Sequence, residues 1–319
     1  MRPLPYTEGM LSIVVPLYRE EANVAPLVEK LEEVCKSLGH PYELIIVDDG
    51  SDDGTAQALE NLKAAHPNLK PVYHRRNYGQ SAALTAGFDA AQGEWIATMD
   101  GDLQNDPADI PAMLKMVENG EADVVCGWRQ KRKDNAALVK IPSLIGNFFI
   151  RGMTGVKMRD YGCALRIFHS EFAKGLTLYG ELHRFIPVLV SQLGARLKEV
   201  PVRHHPREHG RSKYNVGKAP RVFLDLLLMF FFQKFATRPI QFFGGWGLGS
   251  FGAGMLMLLE LLMEKLMGHE VGRRPMLIIA ALLVMVGVML ISIGLCAELI
   301  VRTYYESTGK KIYTTKIKP

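Results

Sequence analysis

The sequence predicts an α/β domain built on a mainly parallel sheet, followed by interfacial helices and two membrane-spanning helices. Three observations predict this architecture. Short apolar runs alternate with helical patterns over residues 11–240, which is typical of βαβ units. Polar clusters follow the ends of these runs, where parallel sheets bind their ligands. Two almost uniformly apolar runs then lie within residues 240–301, and each is long enough to cross a hydrocarbon core of about 30 Å.

The strands and helices of the first domain follow from the hydrophobic pattern. Apolar runs ended by polar turns predict strands at residues 11–18, 43–49, 71–74, 94–100 and 122–128. The segments between them predict helices at residues 23–38, 55–65, 81–91 and 109–118. In the first helix, apolar residues recur at three- and four-residue steps from Val24 to Val34. Helices of this kind between successive strands predict a sheet whose strands run mainly parallel.

The membrane-spanning helices are predicted at residues 240–263 and 276–301. The alternative, two buried helices of a soluble domain, is disfavoured because neither run shows helical periodicity. Basic residues are denser on the side that holds both termini, which predicts an integral membrane protein with the first domain and both termini in the cytoplasm. The start of the chain lacks the apolar stretch of a signal peptide, which agrees with that topology.

Two further segments, residues 138–153 and 218–236, combine long apolar faces with a few basic residues. This pattern predicts amphipathic helices at the membrane surface, and ordinary packing helices are the alternative for both. The predicted organisation is therefore a sheet-forming core at residues 1–137, a juxtamembrane region at 138–239, two spans at 240–301 and a cytoplasmic tail at 302–319.

The composition excludes several classes of protein. Of the 319 residues, 48% are hydrophobic, which excludes a disordered chain. The net charge is +5, and the basic residues cluster beside the membrane segments, which disfavours nucleic-acid binding. The four cysteines are far apart, which argues against a disulfide framework or a structural zinc site. Glycines in the first span allow close helix approach and leave a homo-oligomer open.

The acidic motif Asp100-Gly101-Asp102 follows the fourth predicted strand. Two carboxylates one residue apart at a strand end can project together into a cleft, and neither is buried cheaply without a counter-charge. Hard oxygen ligands of this kind suit Mg²⁺ or Mn²⁺ shared with phosphate oxygens. An acidic surface turn is the alternative, but the apolar strand before the motif favours a metal site.

A second acidic pair, Asp48 and Asp49, ends the second predicted strand. A solvated turn is the alternative here, because Gly and Ser follow directly. Together with Pro16, Tyr18 and Glu20 at the end of the first strand, the pair can accept hydrogen bonds from a base and a ribose. These residues predict a nucleotide pocket.

A basic, histidine-rich loop at residues 203–213 lies immediately before the second amphipathic segment. Several cations on a glycine-containing loop suit a diphosphate. The alternative is a juxtamembrane patch that is attracted to anionic lipid, and the two readings are compatible.

The chain resembles the family 2 glycosyltransferases, and more narrowly the polyprenyl-phosphate glycosyltransferases, in the segments IVVPLYREE, IIVDDGSDDGT and RNYGQSAALTAGFDAAQGEWIATMDGDLQNDP and in its two spans. The resemblance covers nearly the whole chain from about residue 11 to residue 301. It implies a nucleotide-diphospho-sugar transferase fold (GT-A, Rossmann-like), a nucleotide-sugar donor and a polyprenyl phosphate acceptor. It also implies inversion at the anomeric carbon and synthesis on the cytoplasmic leaflet.

The resemblance assigns individual residues to four parts of a site. The nucleotide pocket matches Pro16, Tyr18, Glu20, Asp48 and Asp49. The metal and donor-diphosphate site matches Asp100, Asp102 and Gln104. The region that holds the acceptor phosphate matches Arg129, Lys140 and Ser143. The loop that closes over the donor diphosphate matches Arg207, His209, Ser212 and Lys213.

Catalytic roles fall to four of these residues, Asp100, Asp102, Arg129 and Arg207. One position departs from the family, because Arg19 stands where the first motif commonly has Asn between Tyr and Glu.

Two other functions remain open from the sequence. A processive polysaccharide synthase usually has more spans and a QxxRW-type motif, which is not found here. A non-catalytic membrane adaptor would have lost the acidic pair. The identity of the sugar is not readable.

Overall fold

The computed structural model describes residues 6–130, 151–206 except residue 153, 238–269 and 275–308, together with Leu228, Phe230, Phe231, Lys234 and Phe235. The chain forms two compact units, Met1–Leu226 and Leu227–Pro319. The first unit contains the sheet, and the second contains two long apolar helices. The amphipathic helices predicted at residues 138–153 and 218–236 fall largely outside the described residues.

The first unit is built on one seven-stranded sheet in the order β3-β2-β1-β4-β6-β5-β7. Its strands are β1 Thr7–Leu17, β2 Tyr42–Asp48, β3 Leu69–Tyr73, β4 Gly93–Thr98, β5 Val124–Arg129, β6 Arg166–His169 and β7 Leu197–Val202. Strand β6 runs antiparallel to both of its neighbours, and every other pair in the sheet is parallel. The predicted α/β fold with a mainly parallel sheet is therefore confirmed.

Helices connect these strands. They are α1 Glu21–Leu38, α2 Thr55–Lys63, α3 Gln80–Ala90, α4 Ile110–Glu118, α5 Ser170–Gly175 and α6 Ile186–Gln192. Short 3₁₀ turns cover Pro107–Asp109 and Leu182–Phe185. The first four helices lie where the hydrophobic pattern predicts them, within two residues at each end.

The core lies between β1, β2 and the helix α1. Ile13 and Val15 of β1 are fully buried, as are Leu27 and Leu31 of α1. Burying an aliphatic side chain of this size contributes about 1.5–3 kcal/mol. The central strands β1 and β2 are covered on both faces, and this is why they read as continuous apolar runs.

The second unit contains α7 Pro239–Leu266 and α8 Pro275–Thr308, both long and apolar enough to cross a membrane. The predicted spans lie inside these helices. Gly254 of α7 faces α8 so closely that an added Cβ would lie 2.8 Å from the Ala280 carbonyl oxygen. A Cβ added to Gly249 of the same helix would meet nothing within 4 Å. Small residues thus let the two helices pack closely along one face of α7.

Replacing Gly254 with Ala is expected to destabilise this helix pair by about 1–3 kcal/mol, because the new methyl group must displace backbone and Val284. Gly249→Ala is the matched control, since it makes the same change on the same helix in open space. The melting temperatures of the two variants in detergent should differ, with only Gly254→Ala below the wild type. Equal melting temperatures would contradict the packing described here.

Candidate active site

The candidate site lies at one edge of the sheet, where β1, β2, β3 and β4 all end. Because these strands run parallel, the loops after them meet at the same edge. The antiparallel strand β6 begins at this edge, and β5 and β7 end there. Seven strands therefore bring loops that are distant in sequence to one place.

The acidic motif follows β4 at this edge. Asp102 is 8% exposed, and its carboxylate accepts a hydrogen bond from the Gln104 backbone N–H at 3.2 Å. Leu103 between them has a φ of +60°, a conformation that is costly for a residue with a branched side chain. Asp100 is partly buried and accepts a hydrogen bond from the Gln80 side-chain amide at 2.8 Å. The chain thus holds two carboxylates close together in a strained turn.

The electrostatics of this pair fit a divalent cation. Burial and the neighbouring carboxylate of Asp102 raise the pKa of Asp100 to about 6, although Arg166 and Arg129 act in the opposite direction. The contribution of Asp102 to this rise reflects repulsion between two neighbouring carboxylates, and a cation would relieve that repulsion. Among the described residues, no group of three or more His, Cys, Asp or Glu could hold a metal ion. Mg²⁺ needs only one or two carboxylates when it also binds phosphate oxygens, so the donor set fits.

The chain that leaves β7 is fixed beside the acidic motif. The His205 backbone N–H donates to the Gln104 carbonyl oxygen at 2.8 Å, and Asn105 and His204 form an antiparallel bridge. The described part of this segment ends at residue 206. The remainder of the predicted donor-closing loop, with Arg207, His209, Ser212 and Lys213, lies outside the described residues.

The predicted nucleotide pocket lies where the loops after β1 and β2 are joined. The Asp48 carboxylate accepts from the Ser51 hydroxyl at 2.5 Å, and that hydroxyl oxygen accepts from the Arg19 backbone N–H at 2.9 Å. Arg19 also forms a two-pronged ion pair with Asp52 at 2.5 and 2.6 Å. Its guanidinium carbon lies 5.2 Å from the centre of the Tyr18 ring. The residue that departs from the family pattern therefore ties two loops of this pocket together.

Glu20 and Pro16 occupy the same region. Glu20 is buried, and its carboxylate accepts from the Asn23 side chain at 2.6 Å. The Glu20 backbone N–H donates to the Thr55 hydroxyl at 3.0 Å. Pro16 pairs with Val47 in the register of β1 and β2. The carboxylate of Asp49 points instead to the loop after β3, where it accepts from the backbone N–H groups of two residues, Tyr78 and Gly79.

On the other side of the acidic motif, Arg129 at the end of β5 forms a two-pronged pair with Asp160 at 2.7 and 2.9 Å. Both side chains are largely buried, at 15% and 9% exposure. Arg166 of β6 is buried nearby, and its Nε has no hydrogen-bond partner among the described residues. The other residues predicted around the acceptor phosphate, Lys140 and Ser143, lie outside the described residues.

Gln80 and Asp160 are among the partners of the site residues that sequence reasoning missed. Gln80 lies inside a motif that carries the family resemblance, so its position was visible but its contact with Asp100 was not. Asp160 lies 31 residues after Arg129, and nothing in the sequence indicates that the two side chains form a pair.

Comparison with known proteins identifies the family. Residues 12–176, about half of the chain, match the model of glycosyl transferase family 2. The chain belongs to this family. The match begins within β1 and extends past the end of β6, and it therefore contains both acidic motifs. The predicted family is confirmed, and with it glycosyl transfer as the activity.

Curated relatives extend the match to nearly the whole chain. A dodecaprenyl-phosphate galacturonate synthase of Rhizobium johnstonii is 46% identical over 96% of this chain and 92% of its own length. An undecaprenyl-phosphate 4-deoxy-4-formamido-L-arabinose transferase of Pseudomonas fluorescens is 36% identical over 95% of this chain and 88% of its own length. This glycosyltransferase is therefore similar to polyprenyl-phosphate sugar synthases over its C-terminal helices as well.

Solved structures of other glycosyltransferases share the fold. A mannosyltransferase from Pyrobaculum calidifontis, in complex with GDP-Man and Mn²⁺, aligns with a TM-score of 0.51 at 15% identity, covering 97% of this chain and 79% of its own. A glucosyl-3-phosphoglycerate synthase from Mycobacterium tuberculosis, with Mn²⁺, UDP and phosphoglyceric acid, aligns with a TM-score of 0.54 at 18% identity, covering 69% of this chain and 78% of its own. The GT-A type fold is thereby confirmed.

Proposed function

We propose that this glycosyltransferase transfers a sugar from a nucleotide-sugar to a polyprenyl phosphate in the membrane, with inversion at the anomeric carbon. The observation that carries the proposal is the acidic pair at the end of β4, in a chain that also has two apolar helices of membrane-spanning length. The two curated relatives act on dodecaprenyl and undecaprenyl phosphate by name, which supports the same class of acceptor.

In this proposal the donor lies across the loops after β1, β2 and β4. Tyr18, Glu20 and Asp48 border the space for the nucleoside, and the tie between Arg19 and Asp52 keeps their loops together before the donor binds. Asp100 and Asp102 would hold Mg²⁺ or Mn²⁺, with Gln104 beside them. When bound, the cation supplies positive charge against the leaving diphosphate. Two structural neighbours are complexes that contain Mn²⁺ together with GDP-Man or with UDP, which supports this choice of metal.

The acceptor phosphate must be bound by positive charge and correctly positioned, but it needs no strong base to activate it. A phosphate monoester with a second pKa near 6 is already largely dianionic at neutral pH, so its oxygen can attack directly. Arg129, Lys140 and Ser143 are proposed to receive this phosphate, and the loop with Arg207, His209, Ser212 and Lys213 to close over the donor. The pair with Asp160 holds the Arg129 guanidinium in one orientation, because its Nε and Nη2 both donate to that carboxylate.

The proposed topology has α7 and α8 crossing the membrane, with the sheet domain and both termini in the cytoplasm. Basic residues before α7 and after α8 support this orientation, because positive charge is retained on the cytoplasmic side. Nucleotide-sugars would then reach the sheet domain from the cytoplasm and the lipid phosphate from the inner leaflet.

The proposal is tested by incubating purified protein with Mn²⁺, undecaprenyl or dodecaprenyl phosphate and a panel of radiolabelled UDP- and GDP-linked sugars. Galacturonate and 4-deoxy-4-formamido-L-arabinose belong in the panel, because the two relatives carry those sugars in their names. We expect label in the organic phase from one donor of the panel. Label that appears only as free sugar would contradict a lipid acceptor.

A further inference from the structure

The carboxylate of Asp49 is fully engaged by the loop after β3. Its Oδ1 lies 2.7 Å from the His74 ring nitrogen and accepts from the Tyr78 backbone N–H at 2.9 Å. Its Oδ2 accepts from the Gly79 backbone N–H at 2.8 Å. Asp49 is only 3% exposed. Both of its oxygens therefore bind other residues of the chain, and little of the carboxylate surface is left for a ligand.

The same loop is held from a second direction. Gly50 has a φ of +66°, and a Cβ at this position would overlap the backbone of Arg76. The turn after β2 thus contacts the middle of the loop after β3, while Asp49 binds the end of that loop. Hydrogen bonds between a buried carboxylate and backbone N–H groups are charge-assisted, and they fix the path of the chain up to residue 79.

Helix α3 begins directly after Gly79, the last residue that Asp49 binds. Gln80 is its first residue, and the Gln80 side-chain amide donates to Asp100 Oδ1 at 2.8 Å. Gln80 is exposed, so its long side chain loses rotamer freedom when it makes this contact. A fixed start of α3 lowers that entropic cost, because the backbone of Gln80 no longer has to be ordered as well.

We propose that Gln80 is a positioning residue for the metal-binding carboxylate Asp100, and that Asp49 acts by holding Gln80 in place rather than by binding the nucleotide. One oxygen of Asp100 is oriented by the amide, so the other is left to face the cation. The inference rests on the proposed metal-dependent transfer, and it gives Asp49 a role different from the one the family resemblance implies.

The first test is the affinity of Mn²⁺ for the full-length protein in the presence of saturating UDP, with GDP run in parallel, measured by electron paramagnetic resonance without turnover. Gln80→Met keeps the length of the side chain and removes the donor. We expect it to raise the Mn²⁺ dissociation constant at least roughly tenfold, as is typical when a metal ligand loses the hydrogen-bond partner that orients it. Gln57→Met is the matched control, because Gln57 is also an exposed helical Gln whose amide binds a neighbouring side chain.

The second test is a double-mutant cycle with Asp49→Asn, which places an amide donor where the carboxylate now accepts backbone N–H groups. If Asp49 acts through Gln80, Asp49→Asn weakens Mn²⁺ binding in the wild-type background and has no further effect in the Gln80→Met background. UDP affinity without metal should be the same in Asp49→Asn and the wild type. A thermal melt identifies any loss of folding in Asp49→Asn, and Gln80→Met tests the first half of the proposal independently.

The outcomes separate this inference from the proposed function. Wild-type protein that binds no Mn²⁺ with either nucleotide would contradict the metal site itself, and the inference would fail with it. Wild-type binding that Gln80→Met leaves unchanged would overturn only the role of Gln80. Equal effects of Asp49→Asn in both backgrounds would show that Asp49 does not act through Gln80. A loss of metal-free UDP binding would show that Asp49 acts on the nucleotide directly.

Discussion

Replacing Asp102 with Asn is expected to lower sugar transfer by at least about 10³-fold while leaving the fold intact. The change removes one negative charge from the acidic pair, so a divalent cation loses a ligand and the leaving diphosphate loses its counter-charge. The Asn side-chain oxygen can still accept the hydrogen bond from the Gln104 backbone N–H, so the turn keeps its local support.

Asp89→Asn is the matched control for this variant. Asp89 is an exposed residue of α3 at its far end from the site, and the same substitution there should leave the transfer rate unchanged. Initial rates of lipid labelling and thermal melts of both variants give the comparison. An Asp102→Asn protein that retains wild-type activity would remove the basis for the metal site.

Replacing Asp160 with Ala is expected to destabilise the protein by about 3–5 kcal/mol, because it leaves the buried guanidinium of Arg129 without its counter-charge. The matched control is Asp123→Ala. Asp123 forms a two-pronged pair with Arg196 of similar geometry, but the Arg196 side chain is 61% exposed. Removing the partner of an exposed guanidinium costs about 1 kcal/mol or less, because water solvates the charge that remains.

Melting temperatures of the purified variants in detergent measure this difference. A third variant keeps the prediction testable if Asp160→Ala does not fold. The double replacement Arg129→Met with Asp160→Leu removes both charges, so it should recover most of the lost stability. It should not recover transfer if Arg129 receives the acceptor phosphate. Equal losses in Asp160→Ala and Asp123→Ala would show that burial does not govern the Arg129 pair.

The sequence predicts the first half of the sheet well because each strand carries its own signal. Strands β1, β2 and β4 are apolar runs covered on both faces, and the helices between them are amphipathic. The antiparallel strand β6 and the edge strand β7 carry weaker signals. Strand β6 has four residues, with Arg166 at its start and His169 at its end. Strand β7 contains charged residues and Pro201, which an edge strand tolerates.

The candidate site, like the sheet, could be predicted only in part from the sequence. The position of both acidic pairs at strand ends could be predicted, because strand periodicity fixes where a strand stops. The partners of Asp49 and Asp100 could not, because they come from other parts of the chain. Asp49 and Asp100 look alike in sequence, yet one is enclosed by backbone donors and the other is held by a single side-chain amide and faces the site. Only the three-dimensional arrangement distinguishes a carboxylate that supports the chain from one that is left for a ligand.

The most direct test of the central claim compares two acceptors with and without metal. The enzyme is stripped with EDTA and supplied with the labelled sugar donor and either undecaprenyl phosphate or undecaprenol, each with and without added Mn²⁺. The proposed mechanism predicts labelled lipid only when undecaprenyl phosphate and Mn²⁺ are both present, because the phosphate is the nucleophile and the acidic pair needs its cation. Equal labelling of undecaprenol, or full labelling of undecaprenyl phosphate in EDTA, would contradict it.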